Sequence, residues 1–283
     1  MDQAGVLRKM ARNRGSRHTA NDRPNMRGIA VASGKGGVGK TSVVANLAFS
    51  LNKTGLKTLV FDADMGLGNI HILLGLAPRF NLEHVLSGEK TMEQVIFKGP
   101  GGIDVLPASS GNRNFSELTG EEKLALRTEL EALEKNYDIV LFDIGAGISS
   151  NVMYFCSAAT DVALVTTAEP TAFADAYALM KILARDYDMR EFKIIVNNTK
   201  SLWEARGVCD RLEKVADRFG LNVRLDLLGH IVKDDIVSKS VRRQRLFTDI
   251  YPRSQAAECV ERIAKSIAGG STSNDIEWGK VFA

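Results

Sequence analysis

The apolar residues of this chain fall into short, almost unbroken runs, separated by longer stretches in which they recur every three or four positions. Runs of strand length cover residues 29–32, 58–61, 103–106, 139–142, 161–167 and 192–197, and the more mixed stretch 224–231 reads as the last strand. A continuous apolar run of that length fits a strand covered on both faces, where neither side of the pleat meets water. Helical periodicity marks residues 42–51, 81–86, 91–96, 121–134, 171–187, 203–219 and 255–267 between them. In the stretch 203–219, Val208, Leu212, Val215 and Phe219 are spaced for one buried face. Strand and helix in alternation predict an α/β fold, a mostly parallel doubly wound sheet with helices on both faces, forming one domain over residues 27–268 with flexible termini.

The ends differ from the body. Residues 1–27 hold seven of the 37 basic side chains but only two of the 34 acidic ones, and few large apolar groups. Such a stretch buries too little surface to offset the entropy of ordering, so residues 1–26 read as a basic tail. A Gly-Gly-Ser-Thr-Ser run at 269–273 is a flexible joint to a second tail, 269–283. No apolar run approaches a membrane span, and the basic N-terminus has no apolar region after it, which predicts a cytoplasmic protein. Cys156, Cys209 and Cys259 lie too far apart for a local metal motif and read as buried, reduced thiols.

The chemistry begins at Gly34-Lys35-Gly36-Gly37-Val38-Gly39-Lys40-Thr41, which fits the phosphate-loop pattern G-x-x-x-x-G-K-[ST] with a strand before it and a helix, opening at Ser42, after it. Glycines let backbone N–H groups turn inward around a phosphate, and the helix N-terminus adds its unpaired N–H groups. Lys40 is placed to neutralise β and γ phosphates, and the Thr41 hydroxyl to bind Mg²⁺. Asp62 and Asp64 close the next strand, and Asp143 closes the run 139–142; carboxylates at strand ends lie where parallel sheets place their ligands. Asp64 is placed to orient the attacking water, with Asp62 and Asp143 supporting Mg²⁺; for Asp62 and Asp64 an acidic surface turn is the plainer alternative. Asn197 ends its strand where an adenine edge could meet a donor and an acceptor, although a simple strand-ending Asn fits as well. The text after it, Asn197-Asn198-Thr199-Lys200-Ser201, lacks a guanine-specific N/T-K-x-D, so ATP is favoured over GTP.

With its second lysine, Lys35, the loop resembles the deviant K-G-G-x-G-K-T loop of the MinD/ParA family of ATPases, and D-x-D-x-G-L-x-N from Asp62 resembles that family's switch I. The resemblance implies a P-loop NTPase sheet and an ATP-dependent homodimer in which Lys35 reaches the phosphates held by the partner. A solvated lysine beside a polyanion remains the alternative for Lys35. It also implies that Asp64 is catalytic and that residues 144–148 form switch II, with a glycine at 145 where relatives more often have Pro or Ala. Relatives commonly show I-P-x-D where this chain has Ile231-Val232-Lys233-Asp234, which makes Asp234 a weaker base-side candidate.

Asp2-Gln3-Ala4-Gly5-Val6-Leu7-Arg8 resembles the D-Q-A-x-x-L-R segment of the flagellar-number regulators of that family, the FlhG (FleN, YlxH) group. The resemblance implies that Asp2, Gln3, Leu7 and Arg8 contact an FlhF-type GTPase and stimulate its hydrolysis. It further implies flagellar C-ring proteins or a FleQ-type transcription activator as downstream partners. Trp278, Val281 and Phe282 share one helical face in the last tail, and relatives carry a C-terminal membrane-targeting helix there; a frayed tail or packing onto the body fits equally. Lys239, Arg242, Arg243 and Arg245 make a basic stretch whose commoner reading is a solvated face, so direct DNA binding is not expected. The alternatives are a cell-division or segregation ATPase of the MinD/ParA kind, and an iron–sulfur carrier of the Mrp kind, against which the absence of any C-x-x-C counts.

Overall fold

The computed structural model describes residues 26–66, 68–108 and 117–270. Asp2, Gln3, Leu7 and Arg8, like Trp278, Val281 and Phe282, lie outside the described residues. Eight strands form one sheet: β1 (Arg27–Ser33), β2 (Thr58–Ala63), β3 (Phe97–Lys98), β4 (Asp104–Leu106), β5 (Ile139–Ala146), β6 (Asp161–Thr166), β7 (Glu191–Thr199) and β8 (Arg224–Val232). Their spatial order is β3-β4-β2-β5-β1-β6-β7-β8. Every pairing is parallel except the short edge pairing of β3 with β4. The expected doubly wound α/β sheet is what forms.

Alternate residues of the central strands β1, β2 and β5 feed two separate cores, which is why their sequences are almost wholly apolar there, while the edge strand β8 is charged at Arg224 and Asp226 and only partly buried. Ala30, Ala32, Leu59, Phe61, Val140 and Phe142 pack on one face. Ile29, Val31, Val60, Ile139 and Leu141 pack on the other. On the first face Phe61, Phe142 and Phe155 form a triangle with ring centroids 5.5–5.6 Å apart, each fully buried. Each such ring contributes about 2–3 kcal/mol by burial alone.

The helices are α1 (Lys40–Lys53), α2 (Ile70–Leu73), α3 (Leu82–Leu86), α4 (Met92–Val95), α5 (Gly120–Leu133), α6 (Ser150–Ala158), α7 (Pro170–Asp186), α8 (Leu202–Arg218), α9 (Asp235–Arg242), α10 (Phe247–Ile250) and α11 (Gln255–Gly269). Sequence-local caps set several starts: the hydroxyls of Thr119, Ser149, Ser201 and Ser254 each accept a backbone N–H of the first turn. The periodicity of α8 is corrected by the structure. Its buried stripe is Ala205, Val208, Cys209, Leu212 and Ala216, while Phe219 is the C-cap residue and is 56% exposed. Leaving helical geometry at that cap turns the ring out of the stripe and against Tyr177, 5.9 Å between centroids. The three cysteines are free and buried, as expected. Among the described residues no helix is long and apolar enough to cross a membrane.

All the strands that bear candidate chemistry, β1, β2, β5, β7 and β8, are parallel, so their carboxyl ends share one edge of the sheet. On one side of β1 the chain moves to β5 and β2, and on the other to β6, so the loop after β1 sits at the switch point where open α/β sheets bind ligands.

Candidate nucleotide site

The loop after β1 leads directly into α1, which begins at Lys40, two residues earlier than its periodicity suggests. Gly39 is the N-cap and has φ 85°, and Gly37 has φ 82°, a left-handed conformation that residues with a Cβ adopt only at a cost. Around Gly36 and Gly37 an added Cβ would meet nothing within 4 Å, so the outer loop is open. Gly34 differs: a Cβ there would lie 2.1 Å from the Asp175 carbonyl oxygen of α7, so the start of the loop rests on that helix's backbone. Inside, the Ser42 hydroxyl is buried with no hydrogen-bond partner in the protein. An open glycine cradle with an orphaned hydroxyl beneath it fits a bound phosphate.

Behind the loop three charged side chains are buried together. Lys40 is 8% exposed, Asp143 1% and Asp62 0%. Lys40 Nζ makes an ion pair with Asp143 Oδ1. Asp62 and Asp143 are register partners on adjacent strands β2 and β5. One lysine thus faces two carboxylates. Burial, and next the charge of Asp143, push the Asp62 carboxyl up to about 8, against the lowering effect of two N–H groups. These are the backbone N–H groups of Ile70, 3.3 Å, and Asp64, 3.2 Å, which both donate to Asp62. Asp62 therefore folds the switch I turn around itself. Packing there is close, since a Cβ on Gly68 would come 2.8 Å from Asp62 Oδ2.

Asp64 follows at the end of β2, with its carboxylate against Gly145, where a Cβ would sit 3.4 Å from Oδ1. That is ordinary contact distance, so a glycine at 145 leaves room beside Asp64 without distorting the turn. The switch II sequence is not wholly a loop: β5 continues to Ala146, which pairs with Ser33, and the Gly147 N–H donates to the Ser33 carbonyl, 2.9 Å. The segment through Gly147 is thereby stitched to the strand that carries the phosphate loop.

Lys35 turns back onto its own subunit. Its Nζ donates to Thr171 Oγ1, 2.7 Å, and approaches Glu169 Oε2, 3.4 Å, at the start of α7. Neither residue was singled out by its sequence context. Both partners of the ion pair are exposed, 39% and 64% by side chain, so it holds Lys35 by about 1 kcal/mol or less.

An open cavity of about 360 Å³ joins the phosphate loop to the ends of β7 and β8, and Lys35, Gly37, Gly39, Asn197 and Asp234 all line it. Its size suits a small ligand. Asp234 also has a structural duty, since its carboxylate accepts the Ile236 N–H as N-cap of α9. The basic stretch lies beyond this cavity, with Arg243 bonded to Tyr251 and Arg245 paired with Asp249. Among the described residues no cluster of His, Cys, Asp and Glu forms a preassembled metal cage.

A glycine cradle at a sheet switch point, a buried lysine under it and carboxylates on the two neighbouring strands define a P-loop nucleotide-binding protein. The family model described as an AAA domain matches residues 26–194. The antiactivator FleN of Pseudomonas aeruginosa is 40% identical over 239 residues, covering 84% of this chain and 85% of that protein. The flagellum site-determining protein YlxH of Helicobacter pylori is 33% identical, covering 93% of this chain and 89% of that one. The structure of MinD in the MinC:MinD complex of Aquifex aeolicus superposes with a TM-score of 0.70 at 28% identity, over 87% of this chain and 96% of that one. The chain belongs to the MinD/ParA family, in the group of FleN and YlxH.

The raised Asp62 carboxyl sets a pH dependence. Between the ordinary value near 4 and about 8 the folded protein keeps a proton that the unfolded chain has lost, so stability falls as pH rises through that window and levels off above it. Asp62→Asn removes the charge and keeps one of the two acceptor oxygens that Asp64 and Ile70 use, a loss that does not vary with pH. Urea denaturation in metal-free buffer should therefore show the variant gaining on the wild type from pH 5 to pH 8; parallel curves would contradict the buried charge imbalance.

Proposed function

We propose that this protein is an ATPase switch that sets flagellar number and placement, cycling between a free form and an ATP-bound homodimer. The observation that carries this reading is Lys35, a lysine beyond the one the phosphate loop needs, held at the cavity rim by a contact weak enough to exchange. In the dimer Lys35 leaves Glu169 and Thr171 and reaches the phosphates bound by the partner subunit. The likeness to an antiactivator and to a flagellum site-determining protein supports the biological role.

ATP binds with its phosphates on Gly34–Thr41 and Ser42 and its base toward Asn197 and Asp234. Lys40 exchanges Asp143 for phosphate oxygens, which removes the cost of leaving either charge unpaired. Thr41, Asp62 and Asp143 are the residues that would hold Mg²⁺, whose positive charge offsets the excess of carboxylate and shields the phosphates. Asp64 orients water toward the γ-phosphate, and its contact with Gly145 links that step to switch II. Hydrolysis is slow, as suits a timer. Asp2, Gln3, Leu7 and Arg8 engage an FlhF-type GTPase and stimulate it. C-ring proteins or a FleQ-type activator read the dimer, and the tail 269–283 brings the otherwise cytoplasmic protein to the inner membrane face when ATP is bound. A division-site role of the MinD kind is the second reading, favoured by the superposition on MinD.

Asp64→Ala should lower ATP turnover by about 100-fold or more while ATP affinity changes little, because a water-positioning group acts on the chemical step. Turnover within twofold of wild type would remove Asp64 from that role. Gln3→Ala should abolish stimulation of FlhF GTP hydrolysis in a phosphate-release assay while leaving this protein's own ATPase intact. Undiminished stimulation would remove Gln3 from that role, and a wild-type chain that does not stimulate FlhF at all would favour the division-site reading.

A further inference from the structure

Asn197 is expected either to face an adenine edge or simply to end its strand, yet its amide is engaged elsewhere. Its Nδ2 donates to the backbone carbonyl of Val38, in the middle of the phosphate loop, at 2.8 Å. The approach is so close that a Cβ on Gly39 would come within 2.4 Å of that nitrogen. Gly39 is thus constrained twice, by φ 85° and by the amide lying over it.

The end of β7 is built to deliver this contact. The pairing of β7 with β8 slips between Val196 and Thr199. Asn198, in the gap, has φ 56°, a left-handed conformation that asparagine tolerates better than most residues. The strand is anchored again at once: Thr199 is fully buried, its carbonyl accepts the Lys233 N–H at 2.8 Å, and its hydroxyl donates to the Ile231 carbonyl at 3.4 Å. A kink of one residue between two anchored positions leaves Asn197 off the regular ladder and aimed at β1's loop.

We propose that Asn197 is a positioning residue of the phosphate loop. A trans peptide is planar, with its C=O and N–H pointing in opposite directions. Holding the Val38 carbonyl on one side therefore directs the Gly39 N–H to the other, into the loop, and sets the backbone from which Lys40 begins α1. Asn197 acts on the triphosphate through this peptide, whatever base is attached. The inference rests on the nucleotide-binding reading above and assigns to this side chain a duty that base recognition alone would not give it.

The test separates phosphate from base. Affinity for Mg-ATP and for Mg-tripolyphosphate, which has no base, is measured calorimetrically on the full chain and on variants whose thermal melts confirm folding. Asn197→Ala should weaken both ligands by a similar factor of about ten. Asn197→Asp, which keeps the shape but sets a carboxylate oxygen against the Val38 carbonyl, should weaken both at least as much. Asn198→Gly, which accepts the left-handed kink, should bind tripolyphosphate as the wild type does. If Asn197→Ala loses ATP affinity but binds tripolyphosphate within twofold of wild type, Asn197 reads the base and does not position the loop. If neither ligand is weakened, the contact carries nothing. A wild-type chain that binds neither ligand would overturn the nucleotide reading itself, and this inference with it.

Discussion

The structure turns on a charge imbalance that the fold cannot relieve by itself. Asp62 and Asp143 are held opposite one another by strand register, and Lys40 is fixed above them by the start of α1, so one buried cation serves two buried carboxylates. Water cannot screen groups this deep, and a lone buried charge costs several kcal/mol. The chain meets the imbalance in two ways at once: backbone N–H groups of switch I turn toward Asp62, and its carboxyl is pushed up toward neutrality. Both devices are conditional. A ligand that brings its own cation and an anion for Lys40 would change what the turn after β2 has to satisfy, which is the physical basis of the proposed switch.

Each neighbouring element touches that spot through backbone contacts that allow little slack. Gly34 rests on the backbone of α7, Gly147 is bonded to Ser33 beside the loop, and Asn197 holds the Val38 carbonyl. Lys35 is the exception, exposed and lightly held. A closely bonded pocket with one lightly held lysine at its rim suits the proposed clasp, in which the fixed part would recognise the nucleotide and Lys35 would exchange its contacts for a second molecule.

Much of this was legible in the sequence, and the reason is locality. The phosphate loop, the apolar runs and the carboxylates that follow them are written in consecutive residues whose spacing maps onto one edge of a parallel sheet, although β5 runs on through Asp143 to Ala146. Asp62 and Asp143 could be placed near each other because each ends an apolar run. What the sequence did not disclose depends on contacts between distant residues: Lys35 with Glu169, 134 positions on, and Asn197 with Val38, 159 positions back. No local pattern announces that a side chain read as a ligand contact is already bonded to the loop. Phe219 was misplaced for a related reason, since periodicity counts a cap residue as though the helix continued through it.

The most direct test of the account is the molar mass of the protein in solution with Mg²⁺ and a non-hydrolysable ATP analogue, followed by light scattering. The 30.9 kDa chain should double its mass only when the analogue is present, and Lys35→Ala should remain single under the same conditions. A wild-type mass that is the same with and without the analogue would contradict it.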